Sequence, residues 1–237
     1  MIFLITFAEN NLLPMAKYIR TLTVFYDTGI SYKEIPLFRG AVLKSLGEKA
    51  NVLYHNHTGE DTFRYSYPLI QYKRLNGKAA ITCVEKGIDL AGQILSEFLG
   101  SIMVGMRETE CKVAQVLPSK EPIQIEETLF AYHLYQWLPL NAKNYEQYQN
   151  TEELAEKIKI LEKVLIGNIL SFLKGVGIHL DKQLNIHITD ILSQKVVTYK
   201  NVKLMAFDIK FNANITLPSY IGIGKNASIG NGVLTKS

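Results

Sequence analysis

Cysteine is nearly absent. Two thiols in 237 residues, Cys83 and Cys111, exclude a disulfide-built scaffold, and both sit in apolar, strand-like stretches that mark buried thiols. The five histidines are scattered, and no Cys/His spacing of a zinc site occurs, so no metal or other cofactor is expected. Long hydrophobic runs are missing as well. The apolar run at residues 2–8 is too short to span a bilayer and lacks the basic start and small-residue cleavage site of a signal peptide. A cytoplasmic protein without a membrane partner is expected. Low-complexity tracts are absent too. At 47% hydrophobic and 20% charged residues, the composition is that of a globular chain with a sizeable core.

Acid is scarce toward the end of the chain. From Lys195 onward there are six lysines (195, 200, 203, 210, 225 and 236) against Asp208 alone, so this segment is more positive than the whole chain at +4. A basic C-terminal third is compatible with a polyanionic partner, although strand lysines also protect exposed sheet edges.

Within this segment, residues 222–232 read Gly-Ile-Gly-Lys-Asn-Ala-Ser-Ile-Gly-Asn-Gly. Glycine lets backbone N–H groups turn outward and lets another backbone come close, and such a run makes a concavity that suits phosphate. Lys225 adds a charge and Ser228 a hydroxyl. Walker and dinucleotide loops need a helix or a βαβ unit downstream, and only five residues follow Gly232. A plain glycine-rich turn joining two elements explains the run equally well on sequence alone.

The pattern of elements repeats. Residues 18–26 alternate as a strand, and residues 37–50 read as a helix with Leu37, Ala41, Leu43 and Leu46 apolar. Residues 67–75 and 78–84 flank Asn76-Gly77, the strongest short hairpin signal. An amphipathic helix is expected over 88–99, then a long strand over 102–117 interrupted by the polar patch 107–110. Pro118-Ser-Lys-Glu-Pro122 reads as a linker, because two prolines in five residues break an element. The order then begins again: strand 123–137, a helix capped by Asn150 and Glu153, strands at 184–191 and 195–215, the glycine loop, and a short tail at 233–236. The predicted architecture is α+β: tandem ferredoxin-like domains at 15–117 and 123–237, with residues 1–14 an N-terminal extension. Such sheets are a common platform for single-stranded RNA.

A helix, a loop bearing His55 and His57, the aromatic-basic stretch Phe63-Arg64-Tyr65 and the terminal glycine loop together resemble the CRISPR-associated endoribonucleases of the RAMP superfamily, which cut repeat RNA into guide RNAs. The resemblance covers most of the chain from about residue 18. Its most specific part is the spacing Gly222-x-Gly224-x5-Gly230-x-Gly232, where Asn231 replaces the usual hydrophobic residue. It implies a catalytic histidine after the first helix. His55 matches that place best, with Gly59 and Phe63 following, and His57 competes with it. The tyrosine and lysine that some members use there are missing: Arg39-Gly40 and Asp61 stand near those places, and Arg39, Lys44 or Arg64 would substitute as the cation.

The resemblance further implies a metal-independent cut by the ribose 2′-OH, leaving a 2′,3′-cyclic phosphate and a 5′-hydroxyl. A histidine near neutral pKa suits the proton transfers and a cation suits the developing phosphorane charge. CRISPR repeat RNA is the implied partner, with Lys44, Tyr65, Lys73, Arg74, Gly222, Gly224, Lys225, Ser228, Gly230 and Gly232 as candidate RNA contacts. A CRISPR effector complex is a possible second partner, and the chain would be a monomer or homodimer. Two other functions stay open: a non-catalytic RAMP subunit that binds guide RNA, and a ferredoxin-like interaction or small-ligand protein whose glycine loop is only structural.

Overall fold

The first strand, β1 (Lys17–Gly29), is rich in β-branched and aromatic residues and buries both of its faces. Val24 and Tyr26 belong to one core, while Ile19 and Phe25, on the other face, belong to two others. The structure is a computed structural model that describes residues 17–47, 57–58, 62–63, 67–97 and 100–237. The expected extension at 1–14 lies outside the described residues.

In the first half, α1 (Ile35–Leu46) is followed by the two-residue strands β2 (His57–Thr58) and β3 (Thr62–Phe63). The hairpin β4 (Ile70–Leu75) and β5 (Lys78–Val84), the helix α2 (Ala91–Glu97), the hairpin β6 (Gly100–Val104) and β7 (Arg107–Cys111), and β8 (Val113–Ile123) come next. The sheet order is β4-β5-β1-β8, with every pair antiparallel, which is the ferredoxin-like order. Asn76 and Gly77 both take positive φ (49° and 83°), as a tight hairpin turn between twisted strands requires.

The second half repeats that order as β9 (Ile125–Trp137), α3 (Ala142–Asn150), α4 (Leu154–Gly175), β10 (Ile186–Tyr199), β11 (Val202–Ile215) and β12 (Val233–Lys236), with sheet order β10-β11-β9-β12. The place of the second helix is taken by the glycine-rich loop and a single 3-10 turn, Ala227–Ile229. Helix α4 buries Leu161, Leu165, Ile169 and Phe172 against Trp137, Leu134 and Ile209. Each such side chain contributes about 1.5–3 kcal/mol by leaving water. No helix among the described residues is long and apolar enough to cross a membrane.

Several expectations are corrected. Residues 118–122 are not a linker: they form the end of β8, which pairs with β1 through Pro118↔Leu22 and Pro122↔Tyr18. β8 is an edge strand, and prolines four residues apart turn their missing N–H groups to the same, unpaired side. The polar patch 107–110 is itself a strand, and the turn falls at Gly105 and Met106. The 88–99 helix begins as a 3-10 helix, Glu85–Leu90. Helix α1 buries Ile35, Phe38, Ala41, Val42 and Leu46, while Leu37 is exposed. Asn150 ends α3 rather than capping α4, whose N-cap is Glu153 without a side-chain cap bond, while α3 is capped by Asn141, whose Oδ1 accepts from the Asn144 N–H at 2.8 Å. The last long hairpin turns at Lys200 and Asn201, both at positive φ, and residues 192–194 continue the strand through bulges.

The two sheets are not independent. Gln71, Lys73 and Leu75 of β4 point away from α1, as do Ala80, Thr82 and Val84 of β5. That face is closed by the second half: Leu75 and Ala80 pack with Val233, Tyr135 and Tyr220, and Ile19 and Val84 join the second core. The face that an RNA-reading ferredoxin-like sheet would expose is therefore covered over β4, β5 and β1.

Candidate nucleic-acid interface

The glycine loop closes on itself and then on the first domain. The Ile223 N–H donates to the Gly232 carbonyl at 2.7 Å, and the Gly232 N–H donates to the Gln136 carbonyl at 3.1 Å. The Gly222 N–H donates to Oε1 of the fully buried Gln71 at 2.8 Å. The Gln71 amide is held in turn, donating to Tyr67 Oη at 2.7 Å and to the Pro68 carbonyl at 2.9 Å.

At all four candidate glycines a Cβ would come closer than 3.0 Å to a neighbouring atom. At Gly222 it would lie 2.8 Å from the Ala227 Cβ, and at Gly224 2.7 Å from Asn168 Oδ1. At Gly230 it would lie 2.6 Å from the Ile35 Cδ1 of α1, and at Gly232 it would collide with the Ile223 carbonyl. Gly224, Gly230 and Gly232 also take positive φ. These glycines build the loop and seat it between the domains. Lys225 stands exposed on its surface and Ser228 is half-buried.

The remaining candidates fall in different places. His57 lies in β2, its backbone opposite Phe63 of β3. His55, Arg64 and Tyr65 lie outside the described residues. Arg39 is half-buried and Lys44 exposed on α1. Arg74 is already engaged: Nε donates to the Ile30 carbonyl at 2.7 Å, and its guanidinium sits 5.0 Å from the centre of the Tyr32 ring.

Lys73 was expected to meet RNA phosphate, and the structure removes it from solvent. The residue is 0% exposed and its Nζ has no hydrogen-bond partner among the described residues. It lies in a row with Ala80 and Phe25 across the first sheet, on the face that the second domain covers. Burial pulls its pKa down from 10.5 to about 7. The two cysteines are buried and free, as expected. Burial pushes the Cys83 thiol up to about 12 and the Cys111 thiol up to about 11.

Two neighbouring hollows adjoin the loop. The larger, about 630 Å³, lies between the start of α1 (Tyr32, Lys33, Pro36), the tip of the β10–β11 hairpin (Lys195–Lys200) and loop residues Asn226 and Asn231. Among the described residues lining it, three are lysines (33, 195 and 200) and none is a carboxylate. The smaller, about 310 Å³, is lined by Tyr32, Arg74, Tyr135 and Tyr220 among others. Tyr32 and Gly230 line both. Tyr32 sits on a 3-10 turn that Glu34 fixes. The Glu34 carboxylate accepts from the Ser31 N–H at 2.8 Å, the Ser31 hydroxyl at 2.9 Å and the Arg107 guanidinium at 2.9 Å. Those bonds, the Ser31 N–H foremost, hold its pKa down to about 2. The lysines of the hairpin were visible as a basic excess. Tyr32, Lys33 and Tyr220 carried no local signal, because only tertiary packing brings them to the loop.

Two tandem ferredoxin-like domains are the architecture of Cas6 structures, and here the glycine loop before the last strand packs against the first domain. Models of the Cas6b N-terminal domain and the Cas6b C-terminal domain match residues 17–122 and 124–237 respectively, so the chain belongs to the Cas6b family. It is similar to a crystal structure of Cas6b at TM-score 0.83 and 26% identity, covering 93% of this chain and 100% of that one. A second similar structure, of a CRISPR RNA processing endoribonuclease Cas6b, gives 0.72 at the same identity and the same coverage of both chains. An uncharacterized protein of Methanocaldococcus jannaschii is 32% identical over 142 residues, covering 56% of this chain and 95% of that protein.

Proposed function

We propose that this chain is an endoribonuclease that processes CRISPR repeat RNA. The observation that carries this reading is the match of both halves to Cas6b domains, joined to the likeness across 93% of the chain to the crystal structure of a CRISPR RNA processing endoribonuclease Cas6b. The cleft beside the glycine loop, lined by three lysines and by no carboxylate among the described residues, supports it, because lysine and arginine side chains neutralise backbone phosphates.

The reaction needs no external nucleophile. A base takes the proton of a ribose 2′-OH, the O2′–P bond forms, the P–O5′ bond breaks, and an acid protonates the departing 5′-oxygen. The products are a 2′,3′-cyclic phosphate and a 5′-hydroxyl. His55, or His57 in its place, is the candidate histidine for proton transfer, and Arg39 or Arg64 the cation for the phosphorane charge. Lys225, Ser228, Lys44 and Tyr65 are the candidate RNA contacts that the burial of Lys73 leaves in place.

The test is incubation of purified protein with end-labelled repeat RNA in EDTA. One cleavage position is expected, with the rate falling roughly 10²–10⁴-fold in His55→Ala or His57→Ala. Repeat RNA that is bound but left whole would overturn the catalytic reading in favour of a guide-RNA-binding subunit. Absence of binding at moderate salt would overturn both.

A further inference from the structure

We infer that the hollow formed by Tyr32, Arg74, Tyr135 and Tyr220 is a nucleobase pocket, which seats one unpaired base of the RNA whose phosphates run along the adjoining lysine cleft. The inference rests on the repeat-RNA reading and adds to it a specific nucleotide subsite.

Four observations carry it. First, the chemistry of the walls fits a base: three tyrosines and an arginine, with no carboxylate among the described lining residues. Flat aromatic faces and a guanidinium plane are the groups on which unstacked bases settle. Second, the size fits, since about 310 Å³ holds one base with its ribose edge but no duplex. Third, the aromatic groups are held in place beforehand. Tyr32 is 43% exposed, yet its turn is fixed by Glu34 and Arg107, and Arg74 covers part of its ring. Tyr220 sits at φ 66°, a strained conformation for a bulky residue. That conformation is secured by its N–H donating to the Leu234 carbonyl at 2.7 Å and by an edge-on contact with Phe25 at 5.7 Å. Tyr135 is stacked on His133 with ring centres 3.7 Å apart. Fourth, the pocket adjoins the cleft: Tyr32 and Gly230 line both, and Lys33, Lys195 and Lys200 line the cleft. A strand whose phosphates meet those lysines can turn one base across Tyr32 into the pocket.

The experiment uses the full chain and repeat RNAs carrying 2-aminopurine at one unpaired position at a time. The wild type should quench the fluorophore strongly at one position. Tyr32→Ala should abolish that quenching and weaken RNA binding roughly 5- to 150-fold, the range that a base–aromatic stack of about 1–3 kcal/mol represents. Tyr32→Phe, which keeps the ring, should restore both. A second measurement on the wild type needs no variant to fold. 4-Thiouridine placed at the quenched position and irradiated should yield an adduct on a peptide containing Tyr32, Tyr135 or Tyr220. If repeat RNA is bound and cut but no position is quenched, or the adduct falls elsewhere, the pocket assignment fails while the nuclease reading stands. If the RNA is neither bound nor cut, both fail.

Discussion

The side-chain carbonyl of Gln71, on the edge strand of the first domain, accepts a 2.8 Å hydrogen bond from the backbone N–H of Gly222 in the loop of the second. The two residues are 151 positions apart, and the bond is fully buried. It ties the glycine loop to the other lobe and makes the loop a structural joint. Replacing Gln71 with leucine would leave the Gly222 N–H, the Tyr67 hydroxyl and the Pro68 carbonyl without this partner. Each unmet buried group costs about 1–3 kcal/mol. Gln71→Leu is expected to lower the thermal midpoint measurably by calorimetry.

Gly232 and Lys225 lie in the same loop and separate its two roles. A Cβ at Gly232 meets the Ile223 backbone at a positive φ, so Gly232→Ala should destabilise the fold by several kcal/mol, on the order of the larger strain effects. Lys225 is exposed, and Lys225→Ala should leave denaturant unfolding within about 0.5 kcal/mol of the wild type while weakening RNA binding. Equal stability losses in both variants would contradict this division.

Lys73 predicts a pH dependence. Its pKa is lowered from 10.5 to about 7 on folding, so between those values the unfolded chain holds a proton that the folded chain lacks. Stability from this residue therefore rises as pH climbs from about 7 to 10.5, and its penalty is fully present below 7. Lys73→Met should raise the midpoint at pH 7, and the gain should shrink toward pH 10. A gain that grows with pH would refute the assignment.

The two thiols should be inert. With Cys83 and Cys111 buried and their pKa values raised to about 12 and 11, neither forms appreciable thiolate at pH 8. Alkylation of the native protein by iodoacetamide should be negligible over hours and complete in denaturant, as read by intact mass.

Local chemistry made much of this fold legible. Asn76-Gly77 forces a hairpin because both residues must take positive φ, and the stripe from Leu161 to Phe172 permits only a helix with one buried face. The 118–122 run misled because proline reads as a break unless its strand is known to be an edge, which is a property of the sheet. The glycine spacing was visible as a motif, but its purpose was not. Ile35, Gln71 and Asn168, which surround the loop, are distant in sequence and ordinary in composition. Lys73 looked like a surface cation because charge alone does not say which face of β4 the second domain covers.

The most direct measurement is the mass of the RNA fragments after incubation of the wild type with repeat RNA in EDTA. A single pair of fragments is predicted, one ending in a 2′,3′-cyclic phosphate and the other beginning with a 5′-hydroxyl. Intact RNA bound to the protein, or fragments bearing a 3′-hydroxyl and a 5′-phosphate, would contradict the account.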